Sequence, residues 1–252
     1  MQELTYYCSK GYEMKLDQHF LIDEQIAKLA VSLCKIKSKD TVVEIGPGNC
    51  ELTKFIPKCQ LILIEKDENL AKKLKGKYQR VISGSGVEEI RNIKFDYLIS
   101  SVPYSISEPL LRELMLHKFR KAVLILPTHF VNNLESRETS LSFLTNEFLD
   151  IKSIECIERN KFEPRPKVDS YLVEIVNKKS NPILEKLYLQ QDKKTKNALR
   201  EALVQAAKKT KNEAREIVEK MKISEKTLLK NVRMLSCHEL KYIKDTTAKL
   251  LQ

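Results

Sequence analysis

Tyr104 follows a proline and lies three residues beyond Ser101, in the stretch SSVPYSISEPLL (residues 100–111). That arrangement suits one kind of chemistry. An aromatic amine is a poor nucleophile because its nitrogen lone pair is delocalised into the ring. A hydroxyl and a backbone carbonyl that accept the amine hydrogens favour a more pyramidal, reactive nitrogen. An aromatic side chain can stack on the ring that bears the amine and hold it in line with an electrophile. Here Ser101 supplies the hydroxyl, the backbone around Pro103 the carbonyl, and Tyr104 the platform, whose ring electrons also favour a nearby cation. A proline turn with a packed tyrosine is common in α/β proteins, so its neighbours decide what it does.

Those neighbours are a glycine loop and an acid. VVEIGPGNCELT (residues 42–53) places Gly46 and Gly48 at the end of an apolar run. Glycines there let a ligand approach the backbone closely. As a dinucleotide fingerprint the loop is poor, because Glu51 stands where the last glycine belongs; this weighs against a nicotinamide-dependent oxidoreductase. Glu44, two residues before the first glycine, instead suits the E-x-G-x-G loop of S-adenosylmethionine-dependent methyltransferases. Glu65 ends the next apolar run, 19 residues after Gly46, where a carboxylate can accept hydrogen bonds from both ribose hydroxyls. A small polar residue, an apolar one, Pro and an aromatic, placed after a fourth strand, mark enzymes that methylate exocyclic amines of bases. The acceptor is then an extruded nucleobase.

These residues need a scaffold that brings strand ends together. Short β-branched runs, TVVEIG (41–46), LILIE (61–65), RVISG (80–84), FDYLIS (95–100) and AVLILP (122–127), read as buried strands. Between them CELTKFIPK, DENLAKKLKGK and SISEPLLRELMLHKF read as helices or helix-containing crossovers. The alternation predicts a doubly wound, mostly parallel sheet. IKSIECIERN and YLVEIVN flank the loop KFEPRPKVDS without an intervening helix, which predicts an antiparallel addition at one edge. After Asn177 the chain turns Lys-, Ala- and Leu-rich with helical spacing. Two of its segments, SEKTLLKNV and SCHELKYIKDTTAKLL, open on a serine N-cap signal. The expected organisation is a catalytic domain over 1–177 and a basic all-helical domain over 178–252.

Charge follows the same division. The chain carries 45 Lys/Arg against 34 Asp/Glu, a balance of +11. Residues 177–252 hold 19 against 9, whereas the rest holds 26 against 25, so a nearly neutral body carries a basic tail. A polyanion such as RNA is the simplest partner for it. Six scattered cysteines (8, 34, 50, 59, 156 and 237), with no paired-ligand spacing, fit reduced thiols and argue against a zinc site. There is no membrane-length apolar run and no leader-like apolar segment at the N-terminus, so a cytoplasmic protein is expected. His129, in LPTHF, reads as a strand-end histidine with a structural or RNA-facing role rather than a general base. His238 reads as surface.

Taken together the chain resembles the ribosomal RNA adenine N6,N6-dimethyltransferases, archaeal members in particular. KLDQHFLID (15–23) is similar to the family's opening segment, VVEIGPGNCELT to its glycine loop and LIEKDENL to its ribose strand. SVPYSISEPLL resembles the target-amine motif, FEPRPKVDS the F-x-P-x-P-x-V-x-S signature, and KNVRMLSCHEL the helical C-terminal domain. The resemblance implies a class I S-adenosylmethionine-dependent methyltransferase fold with a Rossmann-like, mostly parallel seven-stranded sheet and a small all-helical C-terminal domain that helps grip RNA. It implies dimethylation of adenines near the 3′ end of small-subunit ribosomal RNA, by a protein expected to act as a monomer on the small ribosomal subunit. Residue by residue, it assigns cofactor contacts to His19, Leu21, Gly46, Gly48, Glu65, Ser85 and Ser101, and the amine-presenting role to Ser101, Pro103 and Tyr104. No metal is implied.

Four positions depart from the family pattern. Cys50 replaces the third loop glycine, Ser85 an acid that meets the cofactor's adenine amine, and Ser101 the asparagine that opens the target-amine motif. LPTHF replaces a Gln-x-Glu pattern after the fifth strand. Exchanging a charged acceptor for a hydroxyl costs about 1–2 kcal/mol, roughly tenfold in affinity, and Ser101 still accepts a hydrogen bond from an amine. The alternative reading is an RNA-binding ribosome assembly factor that has lost transfer.

Overall fold

A computed structural model describes residues 18–251 and, before them, only the backbone of two short paired strands, Thr5–Tyr7 and Glu13–Lys15. Cys8 and, within the KLDQHFLID segment, residues 16 and 17 lie outside the described residues. The chain divides into two compact units, Met1–Val131 with Ile151–Asn177, and Asn132–Asp150 with Lys178–Gln252.

The first unit is built on a seven-stranded sheet. Its strands are β1 (Thr41–Ile45), β2 (Gln60–Glu65), β3 (Val81–Ser83), β4 (Tyr97–Ser101), β5 (Lys121–Pro127), β6 (Leu149–Ile157) and β7 (Ser170–Asn177), in the order β3-β2-β1-β4-β5-β7-β6. The pairs from β3 to β5 are parallel, and β7 runs antiparallel to β5 with Ser170 opposite Pro127. The antiparallel addition expected from the sequence is thus β7, inserted beside β5, with β6 outside it. Val42, Val43, Leu63, Leu98, Ile99 and Leu124 are almost fully shielded from solvent. Such strands carry continuous apolar runs because both faces of the sheet are covered. Each of these side chains contributes about 1.5–3 kcal/mol on burial.

Helices α1 (Glu24–Ser32), α2 (Glu68–Lys75), α3 (Gly86–Glu89) and α4 (Ser107–Leu114) belong to the same unit. Asp23 and Asp67 cap α1 and α2, each side chain accepting two backbone N–H bonds. The crossover expected around CELTKFIPK holds only a 3-10 turn, Thr53–Phe55. The reason is local: Gly46, Gly48 and Cys50 all have positive φ, so the chain spends this segment in tight turns.

The second unit is helical. It contains the end of α5 (Thr128–Glu135), then α6 (Ser140–Phe148), α7 (Pro182–Tyr188), α8 (Thr195–Ala206), α9 (Lys211–Lys220), α10 (Glu225–Leu229) and α11 (Cys237–Leu250). Ser224 and Ser236 are the N-caps of α10 and α11, and Ser236 with Glu239 forms a capping box. A single cut at residue 177 does not describe this division, because Asn132–Asp150 packs with the later helices. Lys244 pairs with Glu147 at 2.7 Å, Lys178 N–H donates to the Phe148 carbonyl, and the Phe148 and Tyr188 rings stand 5.4 Å apart. No helix among the described residues is long and apolar enough to cross a membrane. Cys34, Cys50, Cys59, Cys156 and Cys237 are free thiols, and no cluster of metal-binding side chains occurs among the described residues.

Candidate active site

The sheet order reverses between β1 and β4, and open α/β sheets bind ligands beyond the strand tips at such a point. The residues at these tips are held firmly. Gly46 N–H donates to the Ile64 carbonyl at 2.9 Å, and Ser100, fully buried, donates its hydroxyl to the Ile45 carbonyl at 2.6 Å. Glu65 is buried and accepts from Gly48 N–H at 3.2 Å and Asp67 N–H at 2.9 Å, one bond on each oxygen. A carboxylate oxygen has two acceptor sites, so Glu65 can still accept from a pair of hydroxyls. Glu44 is buried beneath the loop and accepts from the Thr53 hydroxyl at 2.7 Å.

A cavity opens over these tips. Gly46, Gly48, Glu44, Glu51, Leu52 and Glu65 form one side, Ser101 to Tyr104 another, and Gln18 to Leu21 with Phe162 a third. Ser101 and Tyr104 are half-buried. Tyr104 opens the 3-10 turn Tyr104–Ile106, and Pro103 closes it by accepting from Ile106 N–H at 3.0 Å. The Tyr104 hydroxyl lies 2.7 Å from the Ser170 hydroxyl, and its ring centroid 5.7 Å from that of His19.

The third wall is pinned by the F-x-P-x-P-x-V-x-S segment. Phe20–Leu21 pairs antiparallel with Phe162–Glu163. Ile22 N–H donates to the Lys161 carbonyl at 2.8 Å, and Lys161 reaches Asp23 at 2.7 Å. The Glu163–Pro164 bond is cis, and the Pro164 carbonyl accepts from His19 Nδ1 at 2.7 Å. A carbonyl can only accept, so Nδ1 carries the proton. The Phe20 ring lies against the loop so closely that a Cβ on Gly48 would stand 2.8 Å from Phe20 Cε1.

The cavity is acidic, and among the described residues no lysine or arginine lines it. Burial pushes Glu44 up to about 8; the Thr53 hydroxyl opposes the shift, while the Glu51 and Glu65 charges add to it. Burial also raises Glu51 and Glu65. A cavity lined by three acids and no lysine or arginine, with the Glu51 and Glu65 charges acting on Glu44, favours a cationic ligand, and Glu65 in addition favours hydroxyls. An adenosyl sulfonium carrying an ammonium has that chemistry, so the residues present fit S-adenosylmethionine.

Of the residues expected from the sequence, His19, Leu21, Gly46, Gly48, Glu65, Ser101, Pro103 and Tyr104 converge on this cavity. Ser85 does not line it; it precedes α3 and makes no capping bond with its side chain. His129 lies in the first turn of α5 rather than on a strand and is exposed, as is His238 at the start of α11. Sequence reasoning missed Phe20, Glu51, Phe162 and Ser170. The F-x-P-x-P-x-V-x-S pattern was visible, but nothing in it tells which of its side chains turn toward residues 19–21 and 104.

A family model described as ribosomal RNA adenine dimethylase matches residues 12–245. A curated relative from Pyrococcus furiosus, named probable ribosomal RNA small subunit methyltransferase A, is 32% identical over 200 residues, covering 73% of each chain. A bacterial relative from Chlorobium chlorochromatii, ribosomal RNA small subunit methyltransferase A, is 30% identical over 189 residues, covering 68% of this chain and 71% of its own. Among solved structures, a dimethyladenosine transferase from Plasmodium falciparum superposes with a TM-score of 0.61 at 23% identity, covering 92% of this chain and 98% of that one. The 23S rRNA methyltransferase ErmE superposes with a TM-score of 0.54 at 15% identity, covering 90% and 98%. Both likenesses extend over nearly the whole chain and concern the fold.

Proposed function

The chain belongs to the ribosomal RNA adenine dimethylase family, and from that premise we propose that it dimethylates adenine N6 in small-subunit ribosomal RNA. It is an S-adenosylmethionine-dependent methyltransferase. The observation that carries the site assignment is that one cavity holds both halves of the chemistry, the acid-lined glycine loop and the Ser101–Tyr104 turn.

In this reading Glu65 holds the ribose hydroxyls, Gly46 and Gly48 admit the ligand to the backbone, and His19 and Leu21 close the cavity from the opening segment. Bound there, S-adenosylmethionine supplies a methyl made electrophilic by its sulfonium. Tyr104 stacks on the extruded adenine. Ser101 and the carbonyls of the Val102–Pro103 region accept the amine hydrogens; the Pro103 oxygen already bonded to Ile106 N–H keeps a second acceptor site. The proton acidified by transfer leaves to water, so no general base is required. The basic C-terminal stretch, residues 178–252, supplies phosphate contacts. No observation at the described residues favours an assembly factor without transfer.

The test is incubation of the full chain with labelled S-adenosylmethionine and unmethylated small ribosomal subunits, followed by digestion of the RNA. N6,N6-dimethyladenosine is the expected labelled nucleoside. Label on a cytidine, or none on RNA, would overturn the reading.

A further inference from the structure

Ser170, the last residue of the F-x-P-x-P-x-V-x-S segment, is fully buried, and its hydroxyl meets the Tyr104 hydroxyl at 2.7 Å. Its backbone is the first residue of β7, paired with Pro127 of β5. The oxygen is therefore carried by the sheet. Tyr104, by contrast, sits on a three-residue 3-10 turn whose N-cap makes no side-chain bond. A ring on such a support swings about its first side-chain torsion, and a hydrogen bond at its far end fixes that swing; rotation about the ring's own axis, which leaves the hydroxyl in place, is limited by the neighbouring His19 ring. We propose that Ser170 is a positioning residue for methyl transfer, acting through the Tyr104 hydroxyl to hold the long axis of the ring where the target adenine stacks.

The inference rests on the methyltransferase reading and adds a residue to it. Stacking serves transfer only if the amine nitrogen stays in line with the methyl, and a misplacement of about 1 Å at a reacting centre costs about a hundredfold in rate. Ser170 does not line the cavity, so its effect must pass through a side chain that does. The same segment restrains the ring a second time, since the Pro164 carbonyl fixes His19, whose ring lies beside Tyr104. Removing one neutral hydrogen bond leaves that second restraint, so the expected loss is partial, about fivefold to tenfold in rate.

Three variants of the full chain, Ser170→Ala, Tyr104→Phe and the double, test this with unmethylated small subunits. Single-turnover rates and the S-adenosylmethionine Kd are measured for each. Each single variant should lose about fivefold to tenfold in rate with cofactor affinity unchanged, and the double should be no slower than either single. Wild-type rates in Ser170→Ala, or losses that multiply in the double, overturn the proposal. Should Ser170→Ala fail to fold, Tyr104→Phe keeps the ring and removes only the hydroxyl; the same drop supports the proposal and a wild-type rate overturns it. An inactive wild-type chain overturns the methyltransferase reading itself, and this inference with it.

Discussion

In the proposed reading the chemistry turns on Tyr104, and its surroundings make its removal informative. The residue lines the cavity while its hydroxyl is tied to Ser170 and its ring lies beside that of His19. Base–aromatic stacking is worth about 1–3 kcal/mol per base. Tyr104→Ala should therefore slow transfer by about tenfold to a hundredfold while leaving the S-adenosylmethionine Kd within about twofold; equal turnover would remove the stacking role. Cys50 is a different case. It holds φ +72 where the family pattern has glycine, and a left-handed conformation costs a side-chain-bearing residue about 1–2 kcal/mol. Glycine relieves that strain but frees the unfolded chain by about 0.4–1 kcal/mol. Cys50→Gly should then raise Tm by a few degrees, roughly 2–4 °C per kcal/mol for a chain of this size, in a thermal melt without ligand. An unchanged or lower Tm would show that the thiol is held by its surroundings. That Tyr104, Glu65 and the glycines converge on one cavity was legible in the sequence because type and spacing place them at strand ends. Ser170 and Phe20 were not, since a buried hydroxyl and a packed ring acquire their roles only from what the fold sets opposite them.

The elements were legible to the degree that their signals are local. All five parallel strands fall within two residues of the apolar runs, and the serine caps open α10 and α11 as expected. The glycine-loop crossover was misread because EL-TKF has helical spacing, whereas the backbone before it is committed to left-handed turns at three of five positions. α6 escaped notice too: its cap is Thr139 bonded to Ser142, a box with serine in place of the usual Glu or Gln. The crossover's geometry makes Gly48→Ala a sharp test of how the opening segment closes on the loop. The new Cβ would fall 2.8 Å from Phe20 Cε1 and would sit at φ +55. The Phe20 backbone is fixed by its pairing with Glu163, so the ring itself must turn aside to make room. The expected result by calorimetry is a loss of about tenfold or more in S-adenosylmethionine affinity, in a protein that still melts cooperatively. Undiminished affinity would mean that residues 18–21 play no part in holding the cofactor.

At the scale of the molecule, the sequence already separates a neutral body from a basic tail, but it does not reveal that the body gathers three acids around one cavity. Glu44, Glu51 and Glu65 all have their carboxyls raised by burial, Glu44 to about 8 from an ordinary 4.5. A raised acid binds its proton more tightly in the folded chain than in the unfolded one. Its contribution to stability is complete below the unfolded value and disappears as pH climbs through the folded value. For Glu44 that window is pH 4.5 to about 8. Groups with lowered values act elsewhere: Glu239, held near 2 by Lys230 and the cap of α11 against the cost of its burial, loses its contribution only as pH falls below 4.5. Ligand-free protein should accordingly lose stability from pH 5 to pH 8 on account of the cavity. Glu44→Gln keeps an acceptor for the Thr53 hydroxyl and cannot ionise, so its denaturation midpoint should decline less over that range, and the gap between variant and wild type should widen as pH rises. Parallel curves would mean that Glu44 titrates alike in the folded and the unfolded chain, and would overturn its burial-raised value. With saturating S-adenosylmethionine, whose positive charge favours the ionised carboxyls, the wild-type decline should flatten. With S-adenosylhomocysteine, which lacks the sulfonium, it should flatten less.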